Sequence, residues 1–167
     1  MIIGEGSTVH PGLGKETSNT RRRCAARCDY PAAVDREQIT ACFGDKRGSR
    51  TDRWGDHLYR YVLHIPFKNA TIRSEPHRIV TIVTMNPSCC TPDKCDQTTK
   101  RALRYVLRHS EELGGADKVI TVNLYAYHQT DSRALAHLLN EGAPSAQIVG
   151  PHNDHYIKYA AERSSIV

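Results

Sequence analysis

Polar and apolar positions divide the chain unevenly. Over residues 1–30 neither helical nor strand spacing is present, and Gly, Ser, Thr and Arg are frequent. This stretch reads as a flexible basic extension ahead of a single α/β domain over 31–167. A short helical turn fits within 31–43, and residues 51–56 are polar and read as loop. Residues 57–65 (HLYRYVLHI) are aromatic and β-branched and predict a strand. Residues 78–85 (RIVTIVTM) form a nearly continuous apolar run, as expected of a strand covered on both faces.

The clearest helical pattern spans 98–113. Ala102, Leu103, Val106, Leu107, Ser110 and Leu113 recur at three and four, while Lys100, Arg101, Arg104 and Arg108 lie off that stripe. Asp96 or Thr98 can cap its start, and Gly114-Gly115 ends it. Residues 118–124 (KVITVNL) predict a second buried strand. Helices follow over 132–140, which Asp131 can cap, and over 153–163. Strand, loop, helix, strand is a βαβ unit, whose two strands run parallel with a right-handed crossover. The expected architecture is a three-layer α/β domain with a mostly parallel central sheet, an antiparallel strand near its start and a truncated C-terminal end. That last expectation rests on Ser164-Ser165-Ile166-Val167, where a strand is about to begin as the sequence stops.

Composition changes this picture little. The chain has 167 residues, 39% of them hydrophobic and 25% charged, as in ordinary globular domains. No apolar run reaches the length of a membrane span, and the first residues lack the basic-then-apolar pattern of a secretory signal, so no membrane partner and a cytoplasmic address are expected. The net charge of +5 comes partly from Arg21, Arg22, Arg23 and Arg27; this arm is solvated or adds a sequence-independent attraction to phosphates. Six cysteines (Cys24, Cys28, Cys42, Cys89, Cys90 and Cys95) have no zinc-like spacing, and free thiols are expected of them in a reducing compartment. No Gly-rich phosphate loop or metal cluster is legible, so no cofactor is expected.

In open α/β sheets ligands sit beyond the carboxyl ends of the strands. The βαβ unit therefore places the loops after Asn86 and Asn123 side by side. Asn86 precedes Pro87, which removes a backbone donor and steers Asn86 away from helical geometry, so the strand stops there. Its amide holds a water or a ligand edge, or bonds its own loop. Asn123 interrupts a buried strand, where an amide must find partners, either ligand or loop. Ser88, Asp96, Thr98, His128, Thr130 and Asp131 surround the same mouth. Asp96 is the natural cap, Thr98 lies where free N–H groups favour anions, and His128 is a proton carrier or an exposed loop histidine.

The motifs Tyr59-Arg60-Tyr61, Met85-Asn86-Pro87-Ser88, Asp96 with Thr98, Val122-Asn123-Leu124-Tyr125-Ala126, Thr130-Asp131, Gly150-Pro151 and Asn153-Asp154 follow one another in an order and spacing that resemble the uncharacterised domain-of-unknown-function family 1643 of bacteria and phages. The chain departs from that pattern at Thr91 and Cys95, where the family usually carries Asp, at Gln97 and Ser132, where it usually carries Pro, and at His128, where it usually carries Arg. A more distant resemblance is to the uracil-DNA glycosylase superfamily. It implies that Asn86 orients a water and that Asn123 bonds the edge of an extruded base. Asp96, which shapes the loop with Thr98, is the second catalytic candidate beside Asn86, and Ser88, Thr98, His128 and Asp131, from their place at the mouth, join Asn123 as ligand-binding candidates. The function these readings suggest is hydrolysis of an N-glycosidic bond in a nucleobase- or nucleotide-containing substrate. The alternatives are a non-catalytic module binding a nucleotide or nucleic acid, and a truncated, inactive relative.

Overall fold

A computed structural model of the protein describes residues 28–44, 50–51, 58–68, 78–129 and 132–167. Its centre is one sheet, in the order β2-β1-β3-β5-β4, built from β1 (Thr40–Gly44), the two-residue β2 (Arg50–Thr51), β3 (Tyr59–Pro66), β4 (Ile79–Thr84) and β5 (Lys118–Asn123). Four helices accompany it: α1 (Gln97–Arg108), α2 (Ser132–Asn140), α3 (Ser145–Val149) and α4 (Asn153–Arg163). The mixed α/β class is as expected, but the sheet is mostly antiparallel. Among the described strands β4 and β5 pair in parallel, while β1 with β2, β1 with β3, and β3 with β5 are all antiparallel. Periodicity identifies strands without their partners, and the single crossover helix dictates direction only for the pair it joins. Within residues 31–43 the expected helical turn is the 3-10 turn Arg36–Gln38, while Thr40 onward forms the unforeseen strand β1, whose backbone groups find partners along β3.

The two faces bury different cores. On the α1 face Leu63, Ile65, Val80, Val119, Leu103 and Val106 pack together with Tyr30 and Val34. On the other face Tyr59, Tyr61, Val62, Ile120 and Val122 pack with Leu135, Ile148 and Ala160 of α2, α3 and α4. Strict alternation along β3 would send Arg60 and Val62 to one side and Tyr61 and Leu63 to the other. The register between β1 and β3 breaks instead: Cys42 faces Val62 and Phe43 faces Arg60, so Tyr61 is an extra residue. This β-bulge lets Tyr61 and Val62 share the α4 face and returns Arg60 to the α1 face, as bulges commonly re-aim side chains beside functional loops.

The α1 stripe buries Leu103 and Val106, and its first turn is closed by Asp96, whose Oδ1 accepts the Thr99 N–H at 2.8 Å. The helix is shorter than its pattern; residues 109–113 continue as turns and Gly114 and Gly115 take positive φ values of 71° and 83°. The short α3 carries no sequence pattern of its own. It is held by buried Ile148 and ends at Gly150, whose φ is 92°. A Cβ on Gly150 would stand 3.0 Å from Tyr59 Cδ1 and 3.2 Å from both Ala126 Cβ and Tyr61 Cε1, so space as well as conformation calls for glycine. At the C-terminal end the expected strand start is visible as one parallel bridge between Ile166 and Val80, with the Thr81 N–H donating to the Ile166 carbonyl at 2.8 Å. The N-terminal extension is described only from Cys28 onward; residues 1–27, including the Arg21 to Arg23 run and Cys24, lie outside the described residues. No helix among the described residues is long and apolar enough to cross a membrane.

Candidate functional site

The parallel register pairs Thr84 with Asn123, which brings the ends of β4 and β5 to the same edge of the sheet. Beyond them the backbones stay together, with Leu124 N–H donating to the Thr84 carbonyl at 2.8 Å and Tyr125 N–H to the Met85 carbonyl at 2.9 Å. The apolar α1 face turns polar at this edge. Arg60 comes from β3, Thr84 from β4 and Asn123 from β5, and the 86–96 loop continues from β4 to α1.

Asn123 is fully buried, and both polar atoms of its amide are hydrogen-bonded within the fold. Its Oδ1 accepts the Thr84 hydroxyl at 2.8 Å, and its Nδ2 donates to the Arg60 carbonyl at 3.1 Å. The Asn153 Nδ2 at the start of α4 donates to the carbonyls of Asn123 and Leu124, at 2.8 and 3.0 Å. These bonds tie β3, β4, β5 and the start of α4 together around Asn123. Asn86 is half-buried, and its Nδ2 donates to the Gln129 carbonyl, which joins the two loops. An amide has a second N–H and a carbonyl acceptor beyond that bond.

Arg60 is the anchor that sequence reasoning missed. It is 2% exposed, and its Nη1 donates to the carbonyls of Cys90 at 2.7 Å and Ser88 at 3.1 Å, while Nη2 reaches Ser88 Oγ at 3.4 Å. Burial lowers its pKa from the usual guanidinium range, opposed by Cys90, Asp96 and Tyr30. The clue was an arginine inside an aromatic and β-branched strand, a position where a charge needs built partners. Ser88 also lies 3.4 Å from Thr99 Oγ1, and His128 Nε2 is 3.3 Å from the Ser88 carbonyl. Thr99, not Thr98, faces the loop; Thr98 is exposed on the first turn of α1. Asp96 is buried: Oδ1 caps α1, whereas Oδ2 has no hydrogen-bond partner. Asn86, Ser88, Asp96, Asn123 and His128 thus gather at one edge of the sheet, while Asp131 and Thr130 lie outside the described residues. Among the described residues no group of three or more His, Cys, Asp or Glu could hold a metal. Four cysteines, Cys28, Cys42, Cys90 and Cys95, are free as expected, but Cys89 is disulfide-bonded.

Fold and site define a mixed α/β domain whose polar mouth lies at the ends of one parallel strand pair, with a loop clamped from below by a buried arginine. The profile of the family described as "Protein of unknown function (DUF1643)" matches residues 60–167, and the chain belongs to that family. Its matched segment begins at Arg60 and includes every described residue of the mouth. Comparison with curated proteins and with solved structures gives no match.

Proposed function

We propose that the protein is a hydrolase that cleaves an N-glycosidic bond in a nucleobase- or nucleotide-containing substrate bound at this mouth. The observation that carries the reading is the buried Asp96 carboxylate, with one oxygen committed to the helix cap and the other unpartnered. A buried carboxylate oxygen without a donor is costly unless something donates to it, and a water is the simplest donor. Held there, such a water is oriented to attack the cationic sugar left as the base departs, and Asp96 accepts its proton. Asn86 offers the remaining part of its amide to that water, as the resemblance to the uracil-DNA glycosylase superfamily suggests.

The burial of Asn123 and the bonds of both its amide atoms to Thr84 and Arg60 favour a second reading, a non-catalytic nucleotide-binding module, because the group expected to read a base there is turned into the fold. One experiment separates the two. The full chain is incubated with nucleoside 5′-monophosphates and with uracil-containing single-stranded DNA, and free base is measured by chromatography. Asp96→Asn preserves the cap, since Asn caps as well as Asp, but removes the proton acceptor. Base release by the natural chain that falls at least ~100-fold in Asp96→Asn supports the hydrolase. Undiminished release in the variant, or binding with no release from any of these substrates, overturns it; the latter result leaves the binding module.

A further inference from the structure

The turn at 91–94 brings two thiols together. Thr91 N–H donates to the Lys94 carbonyl at 2.8 Å and Lys94 N–H to Thr91 Oγ1 at 3.0 Å, so the flanking Cys90 and Cys95 converge. Both are fully buried in the α1 core and both are free. Cys95 is held from its other side by Cys28, through reciprocal backbone bonds of 2.8 and 2.9 Å. Cys90 receives more. Its Sγ lies 3.0 Å from the Tyr30 hydroxyl, and its carbonyl takes the Arg60 guanidinium at 2.7 Å. The hydrogen bond with the Cys95 thiol, the Arg60 charge and the Tyr30 hydroxyl lower the pKa of Cys90, against the effect of burial, while Cys95 is pushed up by its bond to Cys90 and by burial. Two free, buried thiols thus flank one tight turn, and the Cys90 sulfur is the one with a hydroxyl at hydrogen-bond distance and a guanidinium on its own carbonyl, which favour its thiolate.

We propose that Cys90 and Cys95 are a redox pair, which hydrogen peroxide converts to an intramolecular disulfide across the 91–94 turn. The Cys90 thiolate attacks one peroxide oxygen, the O–O bond breaks, and the departing hydroxide takes up a proton to leave as water. Cys90 is then a sulfenic acid. The Cys95 sulfur attacks the Cys90 sulfur, the S–O bond breaks, and a second water leaves with the Cys95 proton. Two thiols and one peroxide give one disulfide and two waters; sulfur is oxidised and oxygen reduced. Burial restricts the pair to a small oxidant, and a reductant such as dithiothreitol reverses the step by exchange.

The test uses the full chain in its native state. After graded hydrogen peroxide, free thiols are alkylated under denaturing conditions, the chain is cleaved after Lys and Arg, and peptides are fragmented in a mass spectrometer. The exposed Met85 reports oxidant dose from within the same molecule. The expected product adds peptide 95–100, joined through Cys90, to peptide 79–94 and the peptide that Cys89 already holds by its own disulfide, two hydrogens lighter than those parts, and it separates with dithiothreitol. In Cys95→Ser the expected product is a Cys90 sulfenic acid trapped by dimedone. Cys90 and Cys95 both fully alkylated at a dose that oxidises Met85, or Cys95 joined to Cys28 or Cys89 instead, overturns the proposal whether or not any variant folds.

Discussion

On the α1 face of the sheet, Arg60 lies at 2% exposure with three of its contacts made to the 86–96 loop; on the α4 face, Tyr61 lies at 1% exposure with its hydroxyl unpartnered. The two residues are neighbours in sequence and face opposite sides by strand alternation, and the β-bulge after them decides which side each one takes. Tyr61 is held by aromatic packing: its ring stacks on Tyr59 at 5.9 Å and on Tyr156 at 5.1 Å and meets His152 edge-on at 6.0 Å. Such contacts depend on shape and burial, and a hydroxyl among them contributes little. Arg60 is held by directed bonds to backbone carbonyls that have been withdrawn from water. One face is thus a packed aromatic wall, and the other is a polar scaffold that fixes a loop.

Substitutions can break that contrast. The largest effect is expected from Arg60→Met, which keeps most of the side-chain volume but removes the donors of the Cys90 and Ser88 carbonyls. A loss of about 3 kcal/mol is predicted from urea unfolding, because buried acceptors bonded to a charged donor are left without it. A change below about 1 kcal/mol would mean that the loop finds other donors and that Arg60 is not its anchor. Tyr61→Phe on the opposite face should cost no more than about 0.5 kcal/mol and can add stability, since no hydrogen bond is lost and an unpartnered buried hydroxyl is removed. A drop comparable to that of Arg60→Met would show that the two faces do not differ as described.

The smallest effect is a pH dependence. His64 of β3 meets Tyr159 of α4 edge-on at 6.0 Å, and its Nδ1 is buried without a partner. Burial, aided by the charge on Lys118, lowers its pKa from 6.5 to about 4. A histidine with a depressed pKa binds fewer protons folded than unfolded between those values. Its share of stability is therefore intact above pH 6.5 and is lost as pH falls toward 4. His64→Phe should flatten the decline in urea midpoint between pH 7 and pH 4.5. An equally steep decline in the variant would assign the acid sensitivity to other groups.

Much of the site's position was legible before any coordinates. The βαβ unit, its parallel pair and the convergence of the 86–96 and 124–129 loops followed from apolar runs separated by one amphipathic helix, and the Asp96 cap from its place before that helix. The individual roles were less legible. A buried asparagine looks the same in sequence whether it reads a ligand or ties Thr84 to Arg60, and adjacent threonines at 98 and 99 look interchangeable until the helix phase is known. Arg60 was hidden because its direction depends on a one-residue register shift against β1, a partner about twenty residues away in the chain.

Local pattern by itself determined which segments became β3, β4, β5, α1, α2 and α4, because side-chain periodicity and caps act over a few residues. Tertiary structure alone decided that the sheet is mostly antiparallel, that residues 40–44 are a strand, that Arg60 faces the loop and that Cys90 meets Tyr30. Each of those outcomes depends on hydrogen bonds and packing between residues distant in the chain, whose pairing no local window contains.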